Sequence, residues 1–383
     1  MHICFITHEY PKTGFSHGGI GTFVKTFSRQ LVEKGHEVSV VGINNYTLQN
    51  EVEHDLGVTV YRLKPKRIKG LTWFFNTNSI NNKIKKINAN SPIDIVESSE
   101  LGLAFTRKLK NIKYIIRLHG GHHFFAESEE RGINKWKGFQ EKRSFKKADA
   151  FIAVSDYVKT HTEQYLSYDN KLVVTIKNAV NLDVFQPKTN VEIENHSLLF
   201  AGTVCEKKGV GQLVKAMPKV LKYNPNVKLY LYGRDWKLKD GRSYIDYVKH
   251  DIMKPQSLDE RQIKFMGVVP LAKLAKAYAK AQICIFPSLM ETQGLVAPEA
   301  MAMQRLVIFS DKGPGPETIT HGKTGLLCNP YNPEDIADKI IWALNNKSES
   351  EKIAFEGYKF VMKNFNNQTI TLQNLNFYES IIK

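Results

Sequence analysis

The chain has 383 residues, 42% of them hydrophobic and 24% charged, with 25 glycines and 14 prolines. This length and composition predict two globular domains and exclude a single small module, a disordered chain, a collagen and a coiled coil. Lysine and arginine outnumber aspartate and glutamate by 54 to 38, a net charge of +16. Such a charge favours anionic partners without choosing among nucleic acids, membrane surfaces and phosphorylated small molecules.

The cellular compartment is indicated by the first residues and by the cysteines. Residues Met1–Thr7 lead directly into an apolar strand pattern with no basic segment before it, and no apolar run has the length of a membrane span. The cysteines are scattered and lack metal or redox spacing: Cys4, Cys205, Cys284 and Cys328. We therefore expect a cytoplasmic protein with buried thiols, without a signal peptide or a transmembrane helix.

The N-terminal half alternates between strand and helix patterns. Apolar residues from Ile20 to Val32 recur with helical spacing, and Gly35 is placed to end that helix. Strands are predicted at Ile3–Thr7, Val38–Val41, Ile93–Glu97, Tyr114–Leu118 and Phe151–Val154. Because such alternation builds a parallel sheet covered by helices, residues 1–190 are predicted to form one doubly wound, Rossmann-like α/β domain.

The pattern lapses across residues 177–195 and restarts in the C-terminal half. Strands are predicted at Ser197–Phe200, Lys228–Tyr232, Ile263–Phe265, Ile283–Phe286 and Leu306–Phe309, with helices at Lys273–Lys280 and Glu334–Leu344. We expect a second Rossmann-like domain over residues 191–365. A final helix, Gln368 to Ile382 within residues 366–383, carries apolar positions that require a partner surface.

A glycine-rich loop, Gly18-Gly19-Ile20-Gly21, lies between the first strand and the first helix. Backbone amides at a helix N-terminus bind anions, so this loop is a candidate phosphate site, and a tight turn without a ligand is the alternative. Val24 stands where the dinucleotide-binding fingerprint requires Gly or Ala, and no acidic residue closes the second strand. The loop therefore argues against a hydride-transfer enzyme.

The loop from Gly202 to Gly209 follows the first strand of the second domain. It places Lys207 and Lys208 immediately before a helix, at a strand end of the kind where anions bind. Lys208 is therefore a candidate phosphate ligand. The alternative is a solvated charge pair at a helix start.

Two glutamates, Glu291 and Glu299, flank a loop-to-helix junction eight residues apart. Carboxylates at such a junction accept hydrogen bonds from sugar and ribose hydroxyls, while the amides of Leu295 and Val296, after the Gly294 turn, are placed to hold a phosphate. Acid/base hydrolysis by the carboxylate pair is an alternative, and Glu299 alone is also typical of a residue that complements the helix dipole.

Three histidines, His119, His122 and His123, follow a strand of the first domain. No acidic residue or cysteine lies near them in the sequence to complete a metal site, so we expect no bound metal. A neutral His119 that makes a hydrogen bond at the interdomain cleft is the favoured interpretation.

The segment Arg62–Phe75 joins a basic patch to an aromatic one. This pattern suits peripheral contact with an anionic membrane, and the alternative is a solvated face beside core aromatics. Because no nucleic-acid-binding motif accompanies the patch, we expect no nucleic-acid partner.

In this order the motifs resemble one family, the retaining nucleotide-sugar glycosyltransferases of family 4, over nearly the whole chain. The matching segments are Gly18-Gly19-x-Gly21, His119-Gly120, Ile152-Ala153-Val154-Ser155, Asn178 to Pro187, Gly202 to Gly209, Glu291-x7-Glu299, and Ser310-Asp311 to Leu327. The resemblance implies the GT-B fold, with two Rossmann-like domains facing each other across a cleft and the last helix returning to the first domain.

The resemblance also implies roles for individual residues. The C-terminal domain would bind a nucleotide-sugar, UDP-linked in preference to GDP-linked, and the N-terminal domain a glycan or lipid-linked acceptor. Lys208 would neutralise the pyrophosphate, Glu291 would bind the donor sugar, Glu299 the ribose, and His119 the sugar from the opposite wall. The Gly18–Gly21 loop would close against the donor, and neither a metal nor a cofactor is expected.

The implied reaction is sugar transfer with retention of configuration, in the synthesis of cell-surface polysaccharides or glycoconjugates. Thr203 stands where the family usually has an arginine, so we expect Lys207 or another cation to compensate. A nucleotide-sugar 2-epimerase of the same build is one alternative. A non-catalytic protein that binds membranes or polysaccharides is the other.

Overall fold

The computed structural model describes residues 1–15, 18–128, 132–188 and 191–383, and the chain divides into two compact units. The first unit comprises residues 1–179 and 367–383, and the second comprises residues 180–366. The boundary predicted at residue 190 lies outside the described residues. The second unit already begins at residue 180, because Val180 and Phe185 are buried in its core.

The first unit is built on an eight-stranded sheet with the order β3-β4-β2-β1-β5-β6-β7-β8. Its strands are β1 (His2–Ile6), β2 (Glu37–Ile43), β3 (Glu51–Asp55), β4 (Val58–Leu63), β5 (Ile95–Ser98), β6 (Lys113–Leu118), β7 (Ala150–Ala153) and β8 (Leu172–Thr175). All neighbouring strands are parallel except β3, which pairs antiparallel with β4. This arrangement confirms the predicted parallel α/β domain and adds a hairpin to one edge.

Helices cover the sheet of the first unit. They are α1 (Gly19–Glu33), α2 (Thr72–Asn90), α3 (His122–Ser128), α4 (Lys135–Lys147) and α5 (Asp156–Glu163). The predicted apolar stripe of α1 is buried, with Phe23, Val24, Phe27 and Leu31 in the core. The packing thus follows from the helical spacing of the apolar residues.

The second unit contains a fully parallel six-stranded sheet with the order β11-β10-β9-β12-β13-β14. Its strands are β9 (Glu194–Ala201), β10 (Lys228–Tyr232), β11 (Ile263–Gly267), β12 (Ala281–Phe286), β13 (Leu306–Ser310) and β14 (Leu326–Cys328). The α-helices are α6 (Val210–Tyr223), α7 (Tyr244–Tyr247), α8 (Leu271–Lys280), α9 (Val296–Ala302), α10 (Gly315–Thr318), α11 (Pro333–Asn345) and α12 (Lys347–Asn364).

The last helix, α13 (Asn367–Ile382), belongs to the first unit. Its buried face includes Ile370 and Phe377, which pack in the same core as α1. The expected return of the C-terminal helix to the first domain is therefore confirmed, and this core covers the apolar face that required a partner. Within the described residues no helix is both long and apolar enough to span a membrane.

Each sheet has one point at which the strand order reverses direction. In the first unit this switch point lies between β1 and β5, and in the second it lies between β9 and β12. Open parallel sheets bind ligands beyond the carboxyl ends of the strands at such points, because the two connecting loops leave in opposite directions and open a crevice. The fold thus marks one candidate site in each unit.

Candidate functional site

The switch point of the second unit brings Lys208 and Glu291 together. Lys208 ends a short 3-10 turn (Glu206–Lys208) after β9, and Glu291 lies in the loop after β12. The Nζ atom of Lys208 donates a hydrogen bond to Oε1 of Glu291 at 2.5 Å, and the Ser288 hydroxyl donates to the same oxygen at 3.0 Å. A cation and a carboxylate, both largely shielded from water, therefore face each other at this crevice.

Backbone contacts hold the two loops against each other. The amide of Leu289 donates to the carbonyl oxygen of Lys207 at 2.9 Å. Gly209 has a φ of +72°, and a Cβ atom there would lie 1.8 Å from the carbonyl oxygen of Pro287. Both the left-handed backbone and the close approach require glycine, so this residue fixes the distance between the loops.

Glu299 lies in the first turn of α9, and its carboxyl group is close to the hydroxyl of Tyr278. Burial raises the pKa of Glu299 to about 8, and the Tyr278 hydroxyl acts in the opposite direction. Gly294 turns the chain into this helix with a φ of +73°, and Leu295 and Val296 occupy its cap and first position. The predicted loop-to-helix junction is thus present, and Glu291 and Glu299 lie at its two ends.

A third cation beside these loops was not identified from the sequence. Arg234 follows β10, the neighbour of β9, and its Nε atom lies 3.4 Å from the Thr203 hydroxyl. The guanidinium group of Arg234 and the ammonium group of Lys207 both contact the ring of Trp236, at 5.9 and 5.4 Å from its centroid. Arg234 and Lys207 therefore both lie near Thr203, where the resemblance leads one to expect an arginine.

In the first unit, His119 follows β6 and is half-buried. Its backbone amide donates to Oε1 of Glu100 at 2.6 Å, and its ring lies 5.4 Å from the ring of Phe23, measured between centroids. Burial and the charge of Arg117 lower the pKa of His119 to about 3. His119 is therefore neutral at physiological pH and not a general acid, and its hydrogen bond to a ligand stays a prediction.

The neighbouring histidines, His122 and His123, are buried at the start of α3. Their backbone amides donate to the buried carboxylate of Glu141 at 2.6 and 3.2 Å, and Nδ1 of His123 contacts the same carboxylate. The amide of Asn134 donates to Nε2 of His122. These contacts give both rings a structural role, and the described part of the chain contains no group of three or more potential metal ligands.

The glycine loop of the first unit packs closely on the segment after β1. Gly18 caps α1 and has no side chain to accept hydrogen bonds from the first-turn amides, while Gly19 begins the helix. A Cβ atom at Gly21 would lie 2.0 Å from the carbonyl oxygen of Glu9. Gly21 is thus required by packing, and a Cβ atom at Gly18 would lie 2.7 Å from Oε2 of Glu9, so that a carboxylate lies beside the helix N-terminus.

One residue of the predicted basic patch, Arg62, does not belong to an exposed surface. Arg62 is only 4% exposed, and its guanidinium group donates to Glu53 at 2.7 Å and to the carbonyl oxygens of Tyr10 and Pro11. It is therefore a buried structural residue, and the exposed patch begins at Lys64. The spacing alone did not show that a carboxylate on β3 would pair with Arg62.

Comparisons with known proteins agree with this architecture. Residues 17–184 match the family described as Glycosyltransferase Family 4, and residues 195–346 match the family described as glycosyl transferases group 1. Together the two matches span most of the chain. The chain therefore belongs to the glycosyltransferases of this group, which have the GT-B fold.

Individual relatives are similar along their full length. The chain is 27% identical over 403 residues to the uncharacterized glycosyltransferase MJ1607 of Methanocaldococcus jannaschii, covering 99% of this chain and 98% of that protein. Sucrose-phosphate synthase from Thermosynechococcus elongatus has a similar structure, with a TM-score of 0.84, 23% identity and coverage of 99% and 98%. Anabaena Alr3699/HepE in complex with UDP and glucose gives a TM-score of 0.77, 17% identity and coverage of 99% and 100%.

Proposed function

We propose that the chain transfers a sugar from a nucleotide-sugar, UDP-linked in preference to GDP-linked, to a hydroxyl group of a glycan or lipid-linked acceptor. The observation that carries this proposal is the Lys208–Glu291 pair at the switch point of the second unit. A cation beside a carboxylate suits a ligand that has both phosphates and hydroxyls. The related fold of Anabaena Alr3699/HepE, in complex with UDP and glucose, supports a uridine nucleotide.

Each side chain of the proposed donor site has its own role. Lys208, with Lys207 and Arg234 nearby, stabilises the negative charge that grows on the diphosphate as its bond to the anomeric carbon breaks. Glu291 accepts hydrogen bonds from the sugar hydroxyls, and Glu299 binds the ribose. The amides of Leu295 and Val296 hold the phosphate next to them.

The acceptor side of the reaction is assigned to the first unit. The acceptor hydroxyl forms the new bond to the anomeric carbon as the bond to the diphosphate breaks, and its proton passes to the departing nucleoside diphosphate. His119, which is neutral, can donate or accept a hydrogen bond to the sugar but cannot supply a positive charge. Retention of configuration and independence of metal ions come from the resemblance, as does a role in cell-surface polysaccharide or glycoconjugate synthesis. The four buried free thiols support a cytoplasmic location.

The test is sugar transfer by the purified protein and by variants of the pair. Lys208→Ala and Glu291→Gln are expected to lower kcat/KM by at least about 100-fold, the range found when a charge-stabilising group is removed. Lys249→Ala is the matched control, because Lys249 is also a lysine of the second unit but pairs with the exposed Glu260. It should retain full activity.

Three results would contradict the proposal. Wild-type turnover by both folded variants would remove the site assignment. Conversion of the nucleotide-sugar without any acceptor would favour the epimerase alternative, and absence of binding to any nucleotide-sugar would favour a non-catalytic protein.

A further inference from the structure

An apolar surface on the first unit combines residues from two segments that are far apart in the sequence. It consists of Leu71, Trp73 and Phe74 at the start of α2, and of Ile133, Trp136 and Phe139 at the start of α4. Each of these side chains is between 36% and 50% exposed. We call these six residues the aromatic surface.

Ring contacts join the four aromatic residues of this surface, and Phe74 lies 5.8 Å from Trp73 between ring centroids. The rings of Trp73 and Trp136 are 5.5 Å apart between centroids, and Phe105 contacts both of them, at 4.3 and 5.7 Å. Phe139 stacks on Trp136 at 5.7 Å. Folding therefore brings these rings together without burying them. Because large contiguous apolar patches are rare on soluble monomers, this arrangement indicates a contact surface.

Exposed cations accompany both segments of the aromatic surface in the sequence. The exposed cations are Lys64, Lys66, Arg67, Lys69, Lys135 and Lys137. Neither residues 64–76 nor residues 132–140 include an aspartate or a glutamate. Exposed aromatic rings with exposed cations and no carboxylates in either segment are complementary to an anionic lipid bilayer.

We propose that the aromatic surface docks on an anionic lipid bilayer. The tryptophan and phenylalanine rings enter the interfacial region, and the six cations bind the lipid headgroups. The sequence prediction placed a membrane contact at Arg62–Phe75. The structure excludes Arg62 from this surface and adds the α4 residues, which no pattern in the sequence linked to α2.

The proposed surface adjoins the switch point of the first unit. A cavity of about 350 Å³ is lined there by Thr7 after β1, Ser99 after β5, Thr77 of α2 and Gln140 of α4. Phe105 lines the same cavity and contacts both tryptophans of the aromatic surface. The continuity of the aromatic surface with this cavity indicates that the acceptor is lipid-linked, with its polar headgroup entering the cavity from the bilayer. This inference rests on the proposed function.

The experiment is cosedimentation of the full-length protein with vesicles of phosphatidylglycerol mixed with phosphatidylcholine, or of phosphatidylcholine alone. The wild-type protein should bind the anionic vesicles, and binding should weaken as salt rises. The double variant Phe74→Ser/Phe139→Ser is expected to bind at least tenfold more weakly. Both positions are about half exposed, so these substitutions spare the core.

Phe355→Ser is the matched control, because Phe355 is equally exposed but lies on α12 of the second unit. It should bind vesicles like the wild type. Lys66→Glu/Arg67→Glu should also weaken binding, by removing charge at the edge of the surface. UDP binding, measured by calorimetry on every variant, should be unchanged, so that failure of this proposal and failure of the proposed donor site are separate results.

Three outcomes would overturn docking on an anionic bilayer. The first is binding to phosphatidylcholine as strong as to anionic vesicles, or binding to neither. The second is loss of binding in the charge variant alone, which would indicate non-specific attraction by a basic protein. The third is a dimer in sedimentation velocity that Phe74→Ser/Phe139→Ser dissociates, which would show that a second copy covers the surface.

Discussion

Arg234 is a candidate for the role of an arginine that the chain lacks at position 203. The resemblance leads one to expect an arginine at position 203, but the chain has a threonine there and places Arg234 beside it from the neighbouring strand β10. The guanidinium group is exposed, lies against Trp236 and is close enough to Thr203 to reach a ligand at the same crevice. We therefore expect Arg234 to bind the diphosphate of the donor.

Arg234→Ala should weaken UDP binding about tenfold, or about 1.4 kcal/mol, because a charge-assisted contact to phosphate is lost. Uridine, which has no phosphate, should bind the variant and the wild type equally. Calorimetry with both ligands measures the difference. Arg261→Ala is the control, since Arg261 is an exposed arginine of the same unit that pairs with Asp259.

The double variant Thr203→Arg/Arg234→Ala tests the exchange of positions directly. If Arg234 replaces an arginine at position 203, the double variant should recover most of the UDP affinity lost in Arg234→Ala. Equal UDP affinity of Arg234→Ala and the wild type would show that Lys207 and Lys208 suffice.

Among the elements, α13 is fixed to the first unit by a buried polar network. Arg117 on β6 donates to both carboxylate oxygens of Glu97 on β5, at 2.7 and 3.1 Å, and to Asn374 of α13 at 2.6 Å. The hydroxyl of Tyr378, also on α13, donates to Glu97 at 2.6 Å. The helix thus contributes hydrogen bonds to an ion pair that would otherwise be buried with fewer partners.

Tyr378→Phe should lower the free energy of unfolding of the first unit by about 1–3 kcal/mol, because the substitution leaves the buried Glu97 carboxylate short of one donor. Chemical denaturation, monitored by hydrogen exchange in α13 and β5, measures this loss. Tyr331→Phe is the control, as Tyr331 is 60% exposed in the second unit. Unchanged protection of α13 in Tyr378→Phe would mean that apolar packing alone holds the helix.

The elements also show how far the sequence could be used for prediction. Strand β10 was predicted with its observed bounds, because its apolar residues stand in a short run before a glycine. Strand β3 was missed, since its sequence Glu-Val-Glu-His-Asp has no apolar run and it forms by pairing with β4 at the sheet edge. An apolar run marks a strand locally, whereas a polar edge strand such as β3 is defined only by its pairing, here in a hairpin with the adjacent β4.

The candidate site follows the same rule. Lys208 and Glu291 could be predicted because each stands in a loop at the end of a recognisable strand. Arg234 could not, since only the order of β10, β9 and β12 in the sheet places it beside Thr203. The aromatic surface likewise required the packing of α2 against α4, as Trp73 and Trp136 are 63 residues apart by their numbers.

At the scale of the whole molecule, each unit has its own core and one carboxyl group of raised pKa at its candidate site. Glu100 in the first unit is 3% exposed and bonds the amide of His119, while Glu299 in the second lies near Tyr278. Burial raises the pKa of each carboxyl group to about 8. Both units are therefore expected to bind a proton near neutral pH that their unfolded forms release.

The pH dependence of stability follows from this difference. The pKa of Glu100 is 4.5 without these surroundings and about 8 in the folded protein, so its contribution is complete below about pH 4.5 and is lost as the pH rises through 8. The free energy of unfolding of the first unit should fall by about 2 kcal/mol between pH 6 and pH 8.

Glu100→Gln, which keeps an oxygen to accept from His119, should remove most of this loss. The measurement is hydrogen exchange in β5 and β6 at both pH values, because the two units need not unfold together. Glu33→Gln is the control, since Glu33 is exposed. An equal loss in Glu100→Gln and the wild type would show that Glu100 is ionised throughout this range.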